Sequence, residues 1–250
     1  MGISPSSPKK YRKNILICMN DFSPSEKQQI QFVSNFQDLI SSPFLGETNA
    51  MCWNRSLVGD FSEIVDQIEL NEAMKVIELE ELKSLQLSEQ GQLAVEILLN
   101  DFQLLADYGA SPVLNIIKSY EEDQTNPFFP TDVYSFHVDR SPIPTDTFLC
   151  TYLGESSEIL PNSKAIQKVL VPEIIAELKS IYHIKDQDFE DFIKEYFFDL
   201  HYQAITHFQP IRLGNGHIWK LAIDHPELKV PPCIHRAPKE KNQKRLLLIC

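Results

Sequence analysis

His137-Val138-Asp139 sets an imidazole and a carboxylate two residues apart in the β-branched and aromatic stretch VYSFHVD. On an extended strand alternate side chains share a face, so both groups project to the same side. Two ligands in that arrangement grip one cation and leave several coordination positions open. A third ligand has to come from elsewhere in the chain, and His235 in PPCIHRAPKEKNQKRLLLIC is the candidate. Two imidazoles and one carboxylate suit a facial site for a divalent metal such as Fe(II). Arg245 lies ten residues after His235 and opens the terminal apolar run RLLLIC. With APKEKNQK turning the chain, Arg245 is expected to begin a neighbouring antiparallel strand and to project beside His235 into one cavity. A guanidinium there is suited to bidentate pairing with a carboxylate.

The elements that must carry these residues are strands. VYSFHV, DTFLCTYL, IRLGNGHIWKLAI, PCIHRA and KRLLLIC all have strand composition. Leu246, Leu247, Leu248 and Ile249 are apolar on both faces, as in a strand buried between layers. Gly214-Asn215-Gly216 reads as a turn; no GK[ST] follows, so it is not a phosphate loop. Residues 163–209 read as a helical insertion, with Phe189, Ile193, Tyr196 and Leu200 on one face. Upstream of the proline-rich QTNPFFPTDV the pattern is mainly helical. Ser23-Pro24 with Glu26 predicts a helix start, and Ile30, Val33, Phe36 and Ile40 its apolar stripe. LSEQGQLAVEILLNDFQLLADYG predicts a helix from Ser88 to a stop at Gly109. YRKNILICM and AMCWNRSL predict short strands and DFSEIVDQIE a short helix. NEAMKVIELEELKSL reads as helices or a helix with a strand, and SPVLNIIKSYEED as a helix or a strand. There is no linker and no internal repeat. The expectation is a flexible tail over 1–12 and one α+β domain over 13–250, helical across 13–130 and with a β core across 131–250.

A chain of 250 residues, 43% apolar, can bury a core without disulfide or metal staples. The net charge of -12 argues against a general nucleic-acid binder, which needs a basic face to displace counterions. No run approaches the ~18 apolar residues that span a membrane. The opening SPSSPKKYRK lacks the apolar core of a signal peptide. Cys18, Cys52, Cys150, Cys233 and Cys250 are scattered singly without a CxxC, which predicts reduced, mostly buried thiols in a cytoplasm. Nothing in the composition sets an oligomeric state.

The strings FHVDR and DTFLCTYLG, followed by HRAPKEKNQKRLLL, resemble the Fe(II)/2-oxoglutarate-dependent oxygenase superfamily. Its signature is HxD, a distant His, and an Arg or Lys further on. The resemblance implies a double-stranded β-helix, or jelly roll, with a cupin-like core. It implies Fe(II) held by His137, Asp139 and His235, and 2-oxoglutarate as cosubstrate with its far carboxylate on Arg245. Thr151 and Tyr152 follow on the next strand, where one face lines the cavity and can hydrogen-bond a cosubstrate carboxylate. The long interval between His137 and His235 is explained by the helical insertion. FHVDR, CTYLG and HRAP resemble, more closely, a bacterial family of uncharacterised proteins, from about Trp53 to the end. The implied reaction couples oxidative decarboxylation of 2-oxoglutarate to oxidation of a substrate, a small molecule or a protein side chain.

Arg140 and Arg236 each follow a proposed ligand directly. They face away from the metal, orient groups near it, or bind an anionic substrate. His201 and His207 lie six apart, which on a helix sets them about 120° from each other, so they do not share a face. His183, His217 and His225 sit in polar or turn contexts, and Trp53 and Trp219 read as core anchors. Two other readings stand beside the oxygenase. The same three ligands could hold Zn(II) or Mn(II) for hydrolysis or isomerisation, as in cupin-like barrels. A jelly roll without activity could instead serve as a binding or effector module.

Overall fold

Phe148, Cys150 and Tyr152 face one side of the stretch Asp146–Leu153 and Thr147, Leu149 and Thr151 the other, and all six are buried, so this strand must lie between two layers. The computed structural model describes residue 17 and residues 28–126, 128–205, 207–241 and 243–250. The elements begin β1 (Ile30–Val33), α1 (Phe36–Ser41), β2 (Ala50–Trp53), α2 (Phe61–Gln67), β3 (Met74–Val76), α3 (Leu79–Ser84), α4 (Glu89–Tyr108) and β4 (Val113–Ile117). They continue β5 (Asp146–Leu153), β6 (Glu158–Ile159), β7 (Ala165–Gln167), α5 (Pro172–Tyr182), α6 (Phe189–Glu195) and β8 (Tyr202–Ala204). The last are β9 (Ile211–Arg212), β10 (Ile218–Ala222), β11 (His235–Arg236) and β12 (Arg245–Ile249). The fold class is α+β.

A seven-stranded sheet runs β1-β2-β10-β5-β12-β4-β3. Only the β1–β2 pairing in it is parallel. A smaller sheet runs β11-β6-β9, and β7 pairs with β8. Alternation along the strands sends side chains to two cores. Met51, Phe148, Cys150, Tyr152, Leu246 and Leu248 pack under the helices with Ile64, Leu98 and Leu105. Cys52, Leu149, Trp219 and Leu247 pack the other way, against Ile159 and Ile211 of the smaller sheet. Cys52, Cys150 and Cys233 are free and buried. Among the described residues no helix is long and apolar enough to cross a membrane.

The helix expected from Ser88 to Gly109 is α4. The Ser88 hydroxyl accepts from the Gly91 N–H, and Gly109 closes the helix at φ +96°, a conformation that favours glycine. Other expectations need correction. Ile30 and Val33 belong to a strand, because IQFV pairs with Ala50–Trp53 and the helix begins only after the Asn35 cap. The strand YRKNILICM and the helix start at Ser23 lie outside the described residues, apart from Ile17. The β core is not confined to residues 131–250: β1 to β4 supply four of the seven strands of the large sheet. The insertion is not helical throughout. Its helix α6 ends at Glu195, Phe197 takes a left-handed φ of 60°, and the chain returns as β8. Leu200 therefore does not continue the face of Phe189 and Ile193.

A buried ion pair fastens α4 to the sheet. Arg55 donates from Nη1 to Asp101 Oδ1 at 2.7 Å and from Nη2 to Oδ2, and its Nε reaches the Gly216 carbonyl at 2.6 Å. The Tyr152 hydroxyl donates to Asp101 Oδ2 at 2.7 Å. The Asp101 side chain is wholly buried. Removing one partner strands the other charge away from water. Asp101→Asn is therefore expected to destabilise the fold by about 3–5 kcal/mol in urea denaturation.

Candidate metal centre

His137 sits in a short extended segment held on both sides. Its N–H donates to the His235 carbonyl at 2.9 Å, and the His235 N–H returns a bond to the His137 carbonyl at 2.8 Å. On the other side Val138 N–H meets the Leu200 carbonyl at 3.1 Å and Tyr202 N–H the Phe136 carbonyl at 2.8 Å. His235 in turn pairs with Ile159, and Ile159 with Ile211. Residues opposite one another on neighbouring strands share a face. His201, His137, His235, Ile159 and Ile211 thus form one cross-strand row. The ring centroids of His137 and His235 are 4.8 Å apart, and those of His137 and His201 are 5.8 Å apart.

Asp139 completes the cluster, two residues along on the same face. Its Oδ1 is 3.8 Å from His137 Nε2, and its Oδ2 is 3.5 Å from His235 Nε2. One ligand atom from each residue lies within 4.8 Å of the other two. His137 Nδ1 is 2.8 Å from the Ser135 carbonyl, and His235 Nδ1 is 3.1 Å from the Cys233 carbonyl. A carbonyl only accepts, so each Nδ1 carries the proton and each Nε2 keeps its lone pair. The Thr147 hydroxyl donates to Asp139 Oδ2 at 2.5 Å and fixes the carboxylate plane. These residues fit a divalent metal: two imidazole lone pairs and one oriented carboxylate converge on one point.

The electrostatics agree. Burial, then the neighbouring His235, pulls His137 down to about 4. Burial pushes the Asp139 carboxyl up, but His235, the Thr147 hydroxyl and His137 outweigh it and hold the group below the usual carboxylate range. The 3.8 Å contact between His137 and Asp139 at neutral pH therefore joins a neutral imidazole to a carboxylate and is not an ion pair.

Arg245 is entirely buried. Its Nη2 donates to Ser157 Oγ at 3.2 Å, while Nε and Nη1 meet no hydrogen-bond partner among the described residues. It does not stand on a strand next to His235: β11 lies in the small sheet and β12 in the large one. Across the space between the sheets Arg245 touches Ser157, which precedes by two residues the Ile159 that pairs with His235. That separation is about 7 Å along the strand. Thr151 lies opposite Leu247, and its buried hydroxyl also has no hydrogen-bond partner among the described residues.

Tyr152 is a correction. Alternation sends it to the helical face, where its hydroxyl binds Asp101 and its ring stacks on Phe61 at 5.3 Å. Arg140 and Arg236 are already engaged by carboxylates. Arg140 binds Asp224 at 2.7 Å and Asp199 at 2.6 Å. Arg236 binds Glu158 at 2.8 and 2.9 Å and lies 4.2 Å over the Phe136 ring. His217 accepts from the Arg55 N–H at 3.1 Å and is not part of the triad.

His201 is the neighbour that sequence reasoning missed. It is buried, its Nδ1 has no partner among the described residues, and burial with His137 and Lys168 beside it pulls its pKa to about 3. Leu200-His201-Tyr202 repeats the apolar-His-apolar pattern of Phe136-His137-Val138, a signal that a helical period hides. With His137, Asp139, Thr131, Phe197 and Leu200 it lines a cavity of about 240 Å³. No family model matches the chain, and no curated protein or solved structure does.

Thr147→Val keeps shape and removes the donor to Asp139, so metal affinity by calorimetry is expected to fall about tenfold. His137 at about 4 and His201 at about 3 are depressed below the ~6.5 of an unfolded chain. Above that value neither affects stability. As pH falls below it the unfolded chain takes up protons that the fold refuses, so stability declines. Without metal, the melting temperature is expected to drop from about pH 7 to about pH 5, and to drop less in His201→Gln.

Proposed function

We propose that the chain is a non-haem Fe(II)/2-oxoglutarate-dependent oxygenase with a jelly-roll core. The observation that carries the reading is a wholly buried guanidinium, paired only loosely with Glu240 at 3.7 Å, in the same inter-sheet layer as a His-Asp-His cluster whose Nε2 lone pairs converge. The winding of the chain supports the fold. From β4 it crosses to residues 136–138 in the small layer, back to β5, and over to β6 and β9. It then returns to β10, crosses to β11 and ends in β12. Such alternation between two facing sheets is the path of a jelly roll.

Two histidines and one carboxylate with open positions suit Fe(II). Bound there, Fe(II) supplies the redox chemistry that activates dioxygen for oxidation of a substrate. His137, Asp139 and His235 hold it, and Ser135, Cys233 and Thr147 fix their orientation. Arg245 takes the far carboxylate of 2-oxoglutarate through its planar fork. The Thr151 hydroxyl adds a donor. Leu149, Trp219 and Leu247 keep water from that pocket. His201 offers a neutral imidazole on the side of the cavity near His137, where a small molecule or a protein side chain can enter.

Adding 2-oxoglutarate to the anaerobic Fe(II) protein is expected to produce a visible charge-transfer band. His137→Ala and Asp139→Ala abolish metal binding and leave the far-ultraviolet circular dichroism unchanged. Arg245→Ala retains the metal and weakens 2-oxoglutarate at least tenfold, about 1.4 kcal/mol. Tight Zn(II) with no 2-oxoglutarate binding would sink the oxygenase reading and favour hydrolytic or isomerising chemistry.

A further inference from the structure

The pocket around Arg245 already contains a carboxylate. Glu240, in the connection from β11 to β12, has a side chain only 5% exposed, and its Oε1 lies 3.7 Å from Arg245 Nη1. Neither atom has a hydrogen-bond partner among the described residues. The separation is too long for a hydrogen bond, yet it places opposite charges side by side away from water. Its Oε2 is tethered in the other direction. The Tyr134 hydroxyl donates to it at 2.9 Å, and that hydroxyl accepts the Tyr120 N–H at 2.8 Å. Glu240 therefore cannot close on Arg245 without stretching the bond to Tyr134, and cannot leave without breaking it.

We propose that Glu240 is a specificity-determining residue of the Arg245 pocket, a resident carboxylate that competes with the distal carboxylate of an incoming keto acid. The inference rests on the oxygenase reading above. A ligand carboxylate that engages Nη1 meets Oε1 across the same guanidinium. Two like charges then share one cation, and binding is weakened unless Glu240 swings out. The competition acts only at the far end of the ligand. A keto acid with no second carboxylate escapes it, so Glu240 narrows the preference for dicarboxylates that Arg245 alone would impose.

The test is calorimetric titration of Mn(II)-loaded protein, which reports binding without turnover. The probes are 2-oxoglutarate, succinate and pyruvate. Glu240→Gln keeps the size and the oxygen that accepts from Tyr134 while removing the charge. It is expected to tighten 2-oxoglutarate and succinate at least tenfold and to leave pyruvate unchanged. Tyr134→Phe releases the tether and is expected to tighten both dicarboxylates by a smaller factor. Hydrogen exchange at residues 237–241 is expected to rise when 2-oxoglutarate binds wild type. Unchanged or weaker dicarboxylate binding in Glu240→Gln, with 2-oxoglutarate still bound by wild type, overturns the role of Glu240 and spares the oxygenase reading. If 2-oxoglutarate binds neither protein, the oxygenase reading fails and the role of Glu240 falls with it.

Discussion

Two backbone hydrogen bonds, exchanged between His137 and His235, are the constraint on which the site depends. They make residues almost a hundred positions apart into direct cross-strand partners, and such partners cannot avoid sharing a face. Each ring then gives its Nδ1 proton to the carbonyl two residues before it, Ser135 in one case and Cys233 in the other. The same local device, used twice, aims both Nε2 atoms the same way. Asp139 follows by strand alternation alone. A slip of one residue in this pairing would turn His137 and Asp139 out of the layer together, because the side-chain period is two.

Two buried arginines show how differently one charge can be treated. Arg55 is nearly saturated: Asp101 takes both terminal nitrogens and the Gly216 carbonyl takes Nε. Its environment asks for nothing more, and it fastens a helix to a sheet. Arg245 is more deeply buried; its Nη2 donates to the Ser157 hydroxyl at 3.2 Å, the Tyr120 hydroxyl lies beside the guanidinium, and Glu240 is held at 3.7 Å. A guanidinium costs several kcal/mol to remove from water. A guanidinium buried with so few close hydrogen bonds retains donors for another acceptor. The unpartnered hydroxyl of Thr151 fits the same account.

Helices α1 to α4 meet the site only indirectly. They pack on the face of the large sheet that carries Tyr152, Leu246 and Leu248, while Leu247 and Thr151 look into the layer shared with the small sheet. The large sheet is thus a partition, with the helices on one side and the His-Asp-His cluster and Arg245 on the other. Asp101 and Tyr152 satisfy each other on the first side, and Thr151 and Arg245 are left incomplete on the second.

What the sequence determined by itself is what acts over a few residues. Ser88 and Gly109 bound α4 because a cap and a left-handed stop are local events. The even burial of β5 and β12 follows from their composition, and the shared face of His137 and Asp139 from strand geometry. Tertiary structure decided the rest, because strand partners are chosen by long-range burial that no local window contains. It turned Ile30–Val33 into a strand by giving it Ala50–Trp53 as a neighbour. It put Arg245 in the sheet opposite His235, sent Tyr152 to the helices instead of the pocket, and brought His201 and Glu240 beside groups far from them along the chain. Local rules chose which side chains could do chemistry; only the closing of two sheets on one another decided which of them meet.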